Sequence, residues 1–244
     1  SKQGIVALAC AGDKKSMALA EVNCETDFVA KTDAFVKFTD DAAKTALAGG
    51  NIEEVLADDY KMLLPKTGEN VKIRRSERYA LEGTGVLSGY IHMGGKIGVL
   101  LDVVSDVVND AVMEMAENVC MQIAALKPLY VSDAEVSAEY LEKEKAILKA
   151  QIMNDPKESK KPEKVIDGMI TGRIKKELKE ICLVDQVYVK AEDGKQTVNQ
   201  YVQSVAKQKG CKAAVTEFLR FETGEGLQKR EEDFAAEVAK QVGN

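Results

Sequence analysis

Gly85 to Val104 reads GVLSGYIHMGGKIGVLLDVV, and two strand-like runs in this stretch flank a short turn. The runs Gly85–Ile91 and Ile97–Val104 are rich in β-branched and apolar residues, and the glycines between them are typical of a turn. The stretch therefore predicts a β-hairpin. Apolar residues three and four apart follow from Val108 to Leu126, which indicates a long helix that Pro128 ends.

The same order of elements occurs earlier in the chain. Gly4–Cys10 and Met17–Asn23 have the composition of strands on either side of a turn. A helical pattern follows, with Asp33 as its predicted cap and Gly49-Gly50 as its end. We therefore expect two units with the order strand, turn, strand, helix.

Each unit is also expected to gain a third strand. In the first unit a short helix from Glu53 to Leu63 leads to a strand that begins near Val71. In the second unit the third strand is predicted at Ala214–Glu222, far downstream of its helix. The fold class is therefore α+β, with two related core subdomains built on antiparallel sheets.

Two further helical patterns separate the helix of the second unit from its third strand. Ser132-Asp133 is the predicted cap of the first, which runs to Ile152, and Pro162 opens the second, which runs to Ile181. The polar stretch 154–161 between them is typical of an exposed tip. The pattern predicts a protruding antiparallel helical hairpin, or coiled coil, and the alternative is two ordinary helices packed on the core.

The chain is thus expected to have four parts. They are an N-terminal core subdomain at 1–84, a C-terminal core subdomain at 85–131 and 184–226, the inserted hairpin at 132–183, and a C-terminal helical module at 227–244. The last contains an amphipathic pattern from Arg230 to Val242.

Composition excludes several classes of function. The net charge of −6 and the pI of about 5.2 argue against a general nucleic-acid binder, because phosphate contacts require a cationic surface. The longest apolar runs are too short to span a bilayer. The five cysteines lack any C-x-x-C spacing, so we expect reduced thiols, and the single histidine leaves no zinc site. The N-terminus shows no signal peptide, although an organellar presequence could have been removed.

No catalytic motif is found. His92 is the only histidine, and no Ser or Cys stands at a spacing that would make it the base of a triad. Gly94-Gly95-Lys96 is followed by Ile97 and lacks the Ser or Thr of a phosphate-binding loop. No metal ligand set and no cofactor are expected.

The turn Thr26-Asp27-Phe28-Val29 directly follows the second predicted strand. Its local chemistry has a plain explanation, since Thr-Asp commonly caps a helix and a Phe after a strand is usually a core anchor. The alternative is an aromatic side chain presented to a partner.

Six separated segments resemble the elongation factor Ts family, in the order that the family shows. They are Glu21–Lys31, Thr67–Arg75, Lys96–Leu100, Val136–Glu139 with Glu142–Glu144, Gly172–Lys176, and Phe218–Gly226 with Asp233–Val238. Together they span nearly the whole chain, and six segments in register are specific where one alone would be weak.

The resemblance implies an exchange factor whose partner is the translational GTPase elongation factor Tu. It assigns partner contact and magnesium displacement to the turn Thr26-Asp27-Phe28-Val29, with Phe28 as a wedge. It also implies secondary contacts from Thr67, Gly68 and His92. Met93-Gly94-Gly95 departs from the family's commoner pattern after the histidine.

The same resemblance raises four further expectations. Family members usually begin with a small ubiquitin-associated-like module, which the sequence from Ser1 does not contain, and we expect exchange to survive without it at reduced affinity. The hairpin could serve as a homodimer contact or a docking arm. We expect no direct DNA binding and no membrane association. The location implied is bacterial cytoplasm or an organellar matrix or stroma.

Two other functions stay open at this point. A structural or ribosome-associated protein could keep the same fold and use the hairpin, with the basic Lys160-Lys161 at its tip, for assembly. A small-molecule enzyme is the other, but the sequence shows no site for it.

Overall fold

The computed structural model describes residues 3–227. This part of the chain contains eight α-helices and two three-stranded antiparallel sheets, which confirms the α+β class. The chain forms two compact units. The second unit is Leu126–Gln208, and the first comprises the rest of the described residues. The helix predicted at Arg230–Val242 lies outside the described residues.

The first sheet has the order β1-β2-β3, and four helices accompany it. The strands and helices in chain order are β1 (Gln3–Cys10), β2 (Ser16–Cys24), α1 (Asp27–Ala30), α2 (Asp33–Leu47), α3 (Ile52–Val55), α4 (Ala57–Thr67) and β3 (Lys72–Ala80). The predicted hairpin and third strand are confirmed. Two details of the prediction are wrong. The hydroxyl of Thr32, rather than Asp33, caps α2, because it accepts a hydrogen bond from the Phe35 N–H. The single helix expected before Pro65 is two helices, because Leu56 leaves the helical conformation between them.

The second sheet has the order β4-β5-β6, and one long helix follows its middle strand in the chain. Its elements are β4 (Gly85–His92), β5 (Ile97–Ser105), α5 (Asp110–Leu126) and β6 (Ala213–Glu222). The stretch from Gly85 to Val104 therefore forms the predicted hairpin, and the distant third strand pairs with β5 as predicted.

The two sheets of the first unit pack face to face. Side chains alternate along each strand, so Leu19 of β2 and Leu100 of β5 point into the layer between the sheets. The opposite face of the first sheet packs on α2 through Phe35 and Phe38. Gly98 of β5 lies where an added Cβ would meet Val6, Leu19 and Ile91 side chains at 2.5–3.3 Å, so a glycine permits the close approach.

The two sheets carry a β-bulge at equivalent positions. In the first sheet the register shifts after Glu21, which leaves Arg74 of β3 as the extra residue. In the second it shifts after Asp102, which leaves Thr216 of β6 as the extra residue. Glu21 and Asp102 occupy the same position in nine-residue middle strands. This shared irregularity supports the prediction that the two halves are related.

The side chains at these two bulges differ in charge. The fully buried Glu21 contacts Arg74 at 3.2 Å and Arg75 at 2.6 Å, and accepts a hydrogen bond from the Gly224 N–H at 2.9 Å. In the second sheet Asp102 stands opposite another carboxylate, Glu217. The pKa values of both Asp102 and Glu217 are raised, mainly because burial disfavours their charged forms and to a lesser extent because other carboxylates lie nearby.

The second unit contains α6 (Ala138–Asn154), α7 (Glu163–Ile181) and α8 (Val198–Gln208). The helices α6 and α7 form the predicted hairpin around a core that includes Ile152, Ile166 and Ile170. Ser137 caps α6, whereas the predicted cap Ser132-Asp133 lies at a separate short 3₁₀ turn. The helix α8 was not predicted. The four-part division of the chain stays a prediction.

In the part of the chain from residue 3 to 227, every helix is too short or too polar to cross a membrane.

Candidate functional site

The turn after β2 presents one large apolar side chain to solvent. Phe28 is 86% exposed, although it lies between the capping residue Thr26 and the buried Val29. The interpretation of Phe28 as a core anchor is therefore wrong. Val29 and Ala30 are the buried residues of this turn instead, because successive residues of a helical turn point in different directions. Val29 therefore anchors the turn and offers little surface to a partner.

Thr26 caps the short helix as its local sequence predicts. Its hydroxyl accepts a hydrogen bond from the Val29 N–H at 3.3 Å, and its backbone is extended. Asp27 is exposed in the first turn of α1, where a carboxylate is favoured by the helix dipole. The structure thus presents the Asp27 and Phe28 side chains together.

The turn rests on the buried end of β2. The thiol of Cys24 donates a hydrogen bond to the Thr26 carbonyl at 3.2 Å. Burial, followed by the charge of Glu69, raises the pKa of this thiol to about 11. Cys24 is consequently a neutral thiol under ordinary conditions and supports the turn as a packing residue.

Glu69 joins this turn to the loop after α4. Its carboxylate accepts hydrogen bonds from the Glu25 N–H at 3.0 Å, the Thr26 N–H at 3.0 Å and the Thr26 hydroxyl at 2.6 Å. The Thr26 hydroxyl bond, helped by the two backbone N–H groups, lowers the pKa of Glu69. An ionised carboxylate therefore holds together two segments that lie more than forty residues apart.

The loop that carries Glu69 contains the other two residues predicted near this site. Gly68 ends α4 in the left-handed conformation, with φ 65°, and nothing lies within 4 Å of where its Cβ would be. The half-buried Thr67 donates its hydroxyl to the Leu64 carbonyl at 3.2 Å. The open side of Gly68 would let a partner approach the backbone closely, whereas Thr67 mainly holds the end of the helix.

His92 lies at the end of β4, in the other sheet. Its Nδ1 is 2.8 Å from the Tyr90 hydroxyl, and the two rings are in contact. The following turn reaches β1, because the Val6 N–H donates to the Gly95 carbonyl at 2.7 Å. In that turn Met93 is 66% exposed and has a left-handed backbone, with φ 52°. The structure brings Thr26–Val29 and Thr67-Gly68 together through Glu69, while His92 makes its own contacts with Tyr90.

Sequence reasoning missed Glu69 as a residue of this site. Glu69 lies within the segment Thr67–Arg75 that resembles the family, but no local pattern indicates that its carboxylate reaches back to Thr26. A glutamate two residues after a helix-ending threonine is a weak signal. Pairing of this kind becomes visible only when the fold places the two loops side by side.

Residues 3–227 contain no group of three or more His, Cys, Asp or Glu side chains that is placed to hold a metal ion.

Comparison with known proteins defines the class. The model of the family described as "Elongation factor TS" matches residues 25–225. Relatives named "Elongation factor Ts" include one of Clostridium botulinum (strain Eklund 17B / Type B), 43% identical over 99% of this chain and 81% of the relative. Another, of Clostridium acetobutylicum, is 39% identical over the same shares. The chain is therefore a translation elongation factor.

Within that class, the chain belongs to the elongation factor Ts family. The match covers the Phe28 turn, the loop at Glu69, β3 and the whole second sheet. The resemblance inferred from the six sequence segments is confirmed.

Proposed function

We propose that this protein is the guanine-nucleotide exchange factor for elongation factor Tu. It binds the GTPase and accelerates release of GDP and magnesium, after which GTP binds. It makes and breaks no covalent bond and acts through differences in binding affinity.

The thermodynamics of exchange set what the protein must do. It must bind the nucleotide-free GTPase more tightly than the GDP form, because only a difference in affinity shifts an equilibrium. Linkage then requires that GDP weaken binding of the factor by the same ratio. A useful contact surface is therefore one that displaces the GTPase groups that hold the phosphates and the magnesium ion.

The exposure of Phe28 is the observation that carries the proposal. A water-exposed aromatic ring on a hydrogen-bonded turn gains roughly 1.5–3 kcal/mol when it is buried in an apolar pocket of a partner. A phenylalanine side chain has only two rotatable torsions and so loses little conformational entropy on binding, which suits it to act as a wedge. Phe28 is proposed to enter between helices of the GTPase and displace the groups that hold the nucleotide.

Asp27 is proposed to act beside Phe28. Its exposed carboxylate would compete for hydrogen-bond donors and alter the electrostatic field near the magnesium ion. Gly68 and Thr67 are proposed as secondary contacts from the adjoining loop, with close approach possible at Gly68. His92 is a further proposed contact, held in place by Tyr90.

The remaining parts have supporting roles in this proposal. The chain is proposed to divide into an N-terminal core subdomain at 1–84, a C-terminal core subdomain at 85–131 and 184–226, and the hairpin at 132–183. The hairpin is proposed as a homodimer contact or docking arm, and as a coiled coil in that state. Action on elongation factor Tu places the protein with translating ribosomes, which means the cytoplasm in a bacterium or the matrix or stroma of an organelle.

Stopped-flow release of a fluorescent GDP from elongation factor Tu tests the proposal. Purified protein should accelerate release, and acceleration should saturate with its concentration. Excess unlabelled GDP should weaken binding of the factor to the GTPase. No acceleration, together with GTPase-independent co-sedimentation with ribosomes, would contradict the proposal and favour a ribosome-associated structural protein.

A further inference from the structure

The turn that presents Phe28 is too small to hold its own shape. The helix α1 has four residues, and one helical turn is unstable in isolation because nucleation fixes several torsions for a single hydrogen bond. Its conformation must therefore be set by contacts to the rest of the first unit. Val29 supplies an apolar contact from below, and Glu69 supplies the polar contacts from the side.

Glu69 also orients the hydroxyl that caps the turn. A threonine hydroxyl has one proton, and the Thr26 hydroxyl donates it in the 2.6 Å hydrogen bond to Glu69 Oε2. A lone pair of the same oxygen is then available to the Val29 N–H. The Glu69 carboxylate thereby fixes two backbone N–H groups before the helix and the cap of the helix itself.

The loop that carries Glu69 is anchored independently of the Phe28 turn. The Tyr60 hydroxyl donates to the Val71 carbonyl at 2.6 Å, which closes α4 onto the start of β3. Leu63 and Val71 are buried in the core below α2. Glu69 therefore stands on a fixed frame and can transmit its position to Thr26.

We infer that Glu69 is a positioning residue for nucleotide exchange, which holds the Phe28 turn in the conformation that enters the GTPase. The inference rests on the proposed function. Glu69 need not touch the partner. Without this carboxylate, the Glu25 and Thr26 N–H groups would form hydrogen bonds with water instead, and the turn would sample other conformations. Phe28 would then have to be ordered during binding. A preorganised side chain avoids that entropy loss, and its absence should slow exchange roughly 3- to 10-fold.

The test is a double-mutant cycle of GDP release from elongation factor Tu. Glu69→Ala should slow factor-stimulated release by this amount, and Glu69→Gln, which keeps one acceptor oxygen, should recover part of the rate. In the Phe28→Ala background, Glu69→Ala should have little further effect, because Glu69 acts through the ring. Glu53→Ala removes an exposed carboxylate from α3 of the same unit and should exchange like the unmodified protein.

A second measurement separates positioning from loss of folding. Hydrogen exchange at the Glu25 and Thr26 amides should accelerate in Glu69→Ala, while the circular dichroism spectrum in the assay buffer stays that of the folded protein. A spectrum that shows unfolded protein in that buffer would assign the effect to folding and overturn the inference.

The failures can be told apart. If the unmodified protein does not accelerate release, or Phe28→Ala is as fast as it, the proposed function or its wedge fails and this inference fails with it. If Phe28→Ala is slow but Glu69→Ala is not, the inference alone is wrong. Equal slowing by Glu69→Ala with and without Phe28 would also overturn it, because Glu69 would then act separately from the ring.

Discussion

Replacing Glu21 by glutamine should test how strongly one buried carboxylate joins the two sheets of the first unit. Glu21 is fully buried and binds Arg74, Arg75, the Asn23 amide and the Gly224 N–H. Gly224 follows β6, so the carboxylate connects the middle strand of one sheet to the end of the other. The side chains of Arg74 and Arg75 are 15% and 28% exposed. Glutamine would remove the counter-charge that both share, and Arg75 would keep a longer contact with the Glu225 carboxylate, at 3.6 Å.

The expected loss in the free energy of unfolding is about 3 kcal/mol, the lower end for breaking a buried pair by removing one partner. The lower end applies because both guanidinium groups retain some contact with water. A loss of this size is a large fraction of the stability of a typical domain. Urea titrations followed by circular dichroism measure it directly.

Asp41→Asn is the matched control, because Asp41 pairs with Lys37 at 2.9 Å on the exposed face of α2. An exposed pair of this kind contributes little, so its removal should leave the urea midpoint unchanged. A loss below about 1 kcal/mol for Glu21→Gln would refute the reasoning, since it would show that the buried cluster does not stabilise the sheet packing.

Four other changes should alter stability in directions that the structure sets. Gly98→Ala should lower the free energy of unfolding by about 1–3 kcal/mol, because the added Cβ would overlap the Val6 side chain. Gly168→Ala should raise it by about 0.5–1 kcal/mol, because Gly168 lies within α7 and nothing stands within 4 Å of the added Cβ. Urea denaturation measures both. Asp102→Asn should raise the urea midpoint at pH 8 more than at pH 4. Met93→Gly should raise the free energy of unfolding by about 0.5–1 kcal/mol, which a higher melting temperature would show. The reason is that glycine adopts the left-handed backbone of residue 93 without the steric cost of a side chain.

The pH dependence follows from the sign of the shift at Asp102. Its pKa is raised in the folded protein, so the folded state favours the protonated form more than the unfolded state does. Its unfavourable effect grows as the pH rises from the ordinary carboxyl pKa through the raised one. An Asp102→Asn gain that is equal at both pH values would contradict this cause. For the other three positions, stabilisation by Gly98→Ala, or destabilisation by Gly168→Ala or Met93→Gly, would contradict the argument.

Hydrophobic periodicity was enough to predict most of the fold. Two apolar, β-branched runs between Gly85 and Val104 flank a glycine-rich turn, and tertiary packing agrees with that local preference. The apolar spacing along α6 and α7 likewise predicted the hairpin. Elements whose burial follows their own sequence period could therefore be found without the structure.

Caps and breaks were predicted less well. Thr32 competes with the adjacent Asp33 for the cap of α2, and composition alone does not decide between neighbouring capping residues. The break at Leu56 has no glycine or proline to announce it. Such details depend on small local differences in backbone energy.

The contacts that support the site could not be predicted from local sequence. Glu69 reaches Thr26 across 43 residues, and Glu21 reaches Gly224 across 203. Polar pairs of this kind have no period, and only the completed fold brings them together. The exposure of Phe28 also opposes the usual preference of the residue type for the core.

GDP release from elongation factor Tu with Phe28→Ala is the most direct test of the central claim, that an exposed ring on a fixed turn drives exchange. The matched control is Val55→Ala, which removes another exposed apolar side chain, on α3. Loss of roughly 1.5–3 kcal/mol of burial predicts that Phe28→Ala lowers the exchange efficiency about 10- to 150-fold, with Val55→Ala unchanged. Equal rates for Phe28→Ala and the unmodified protein would contradict the account.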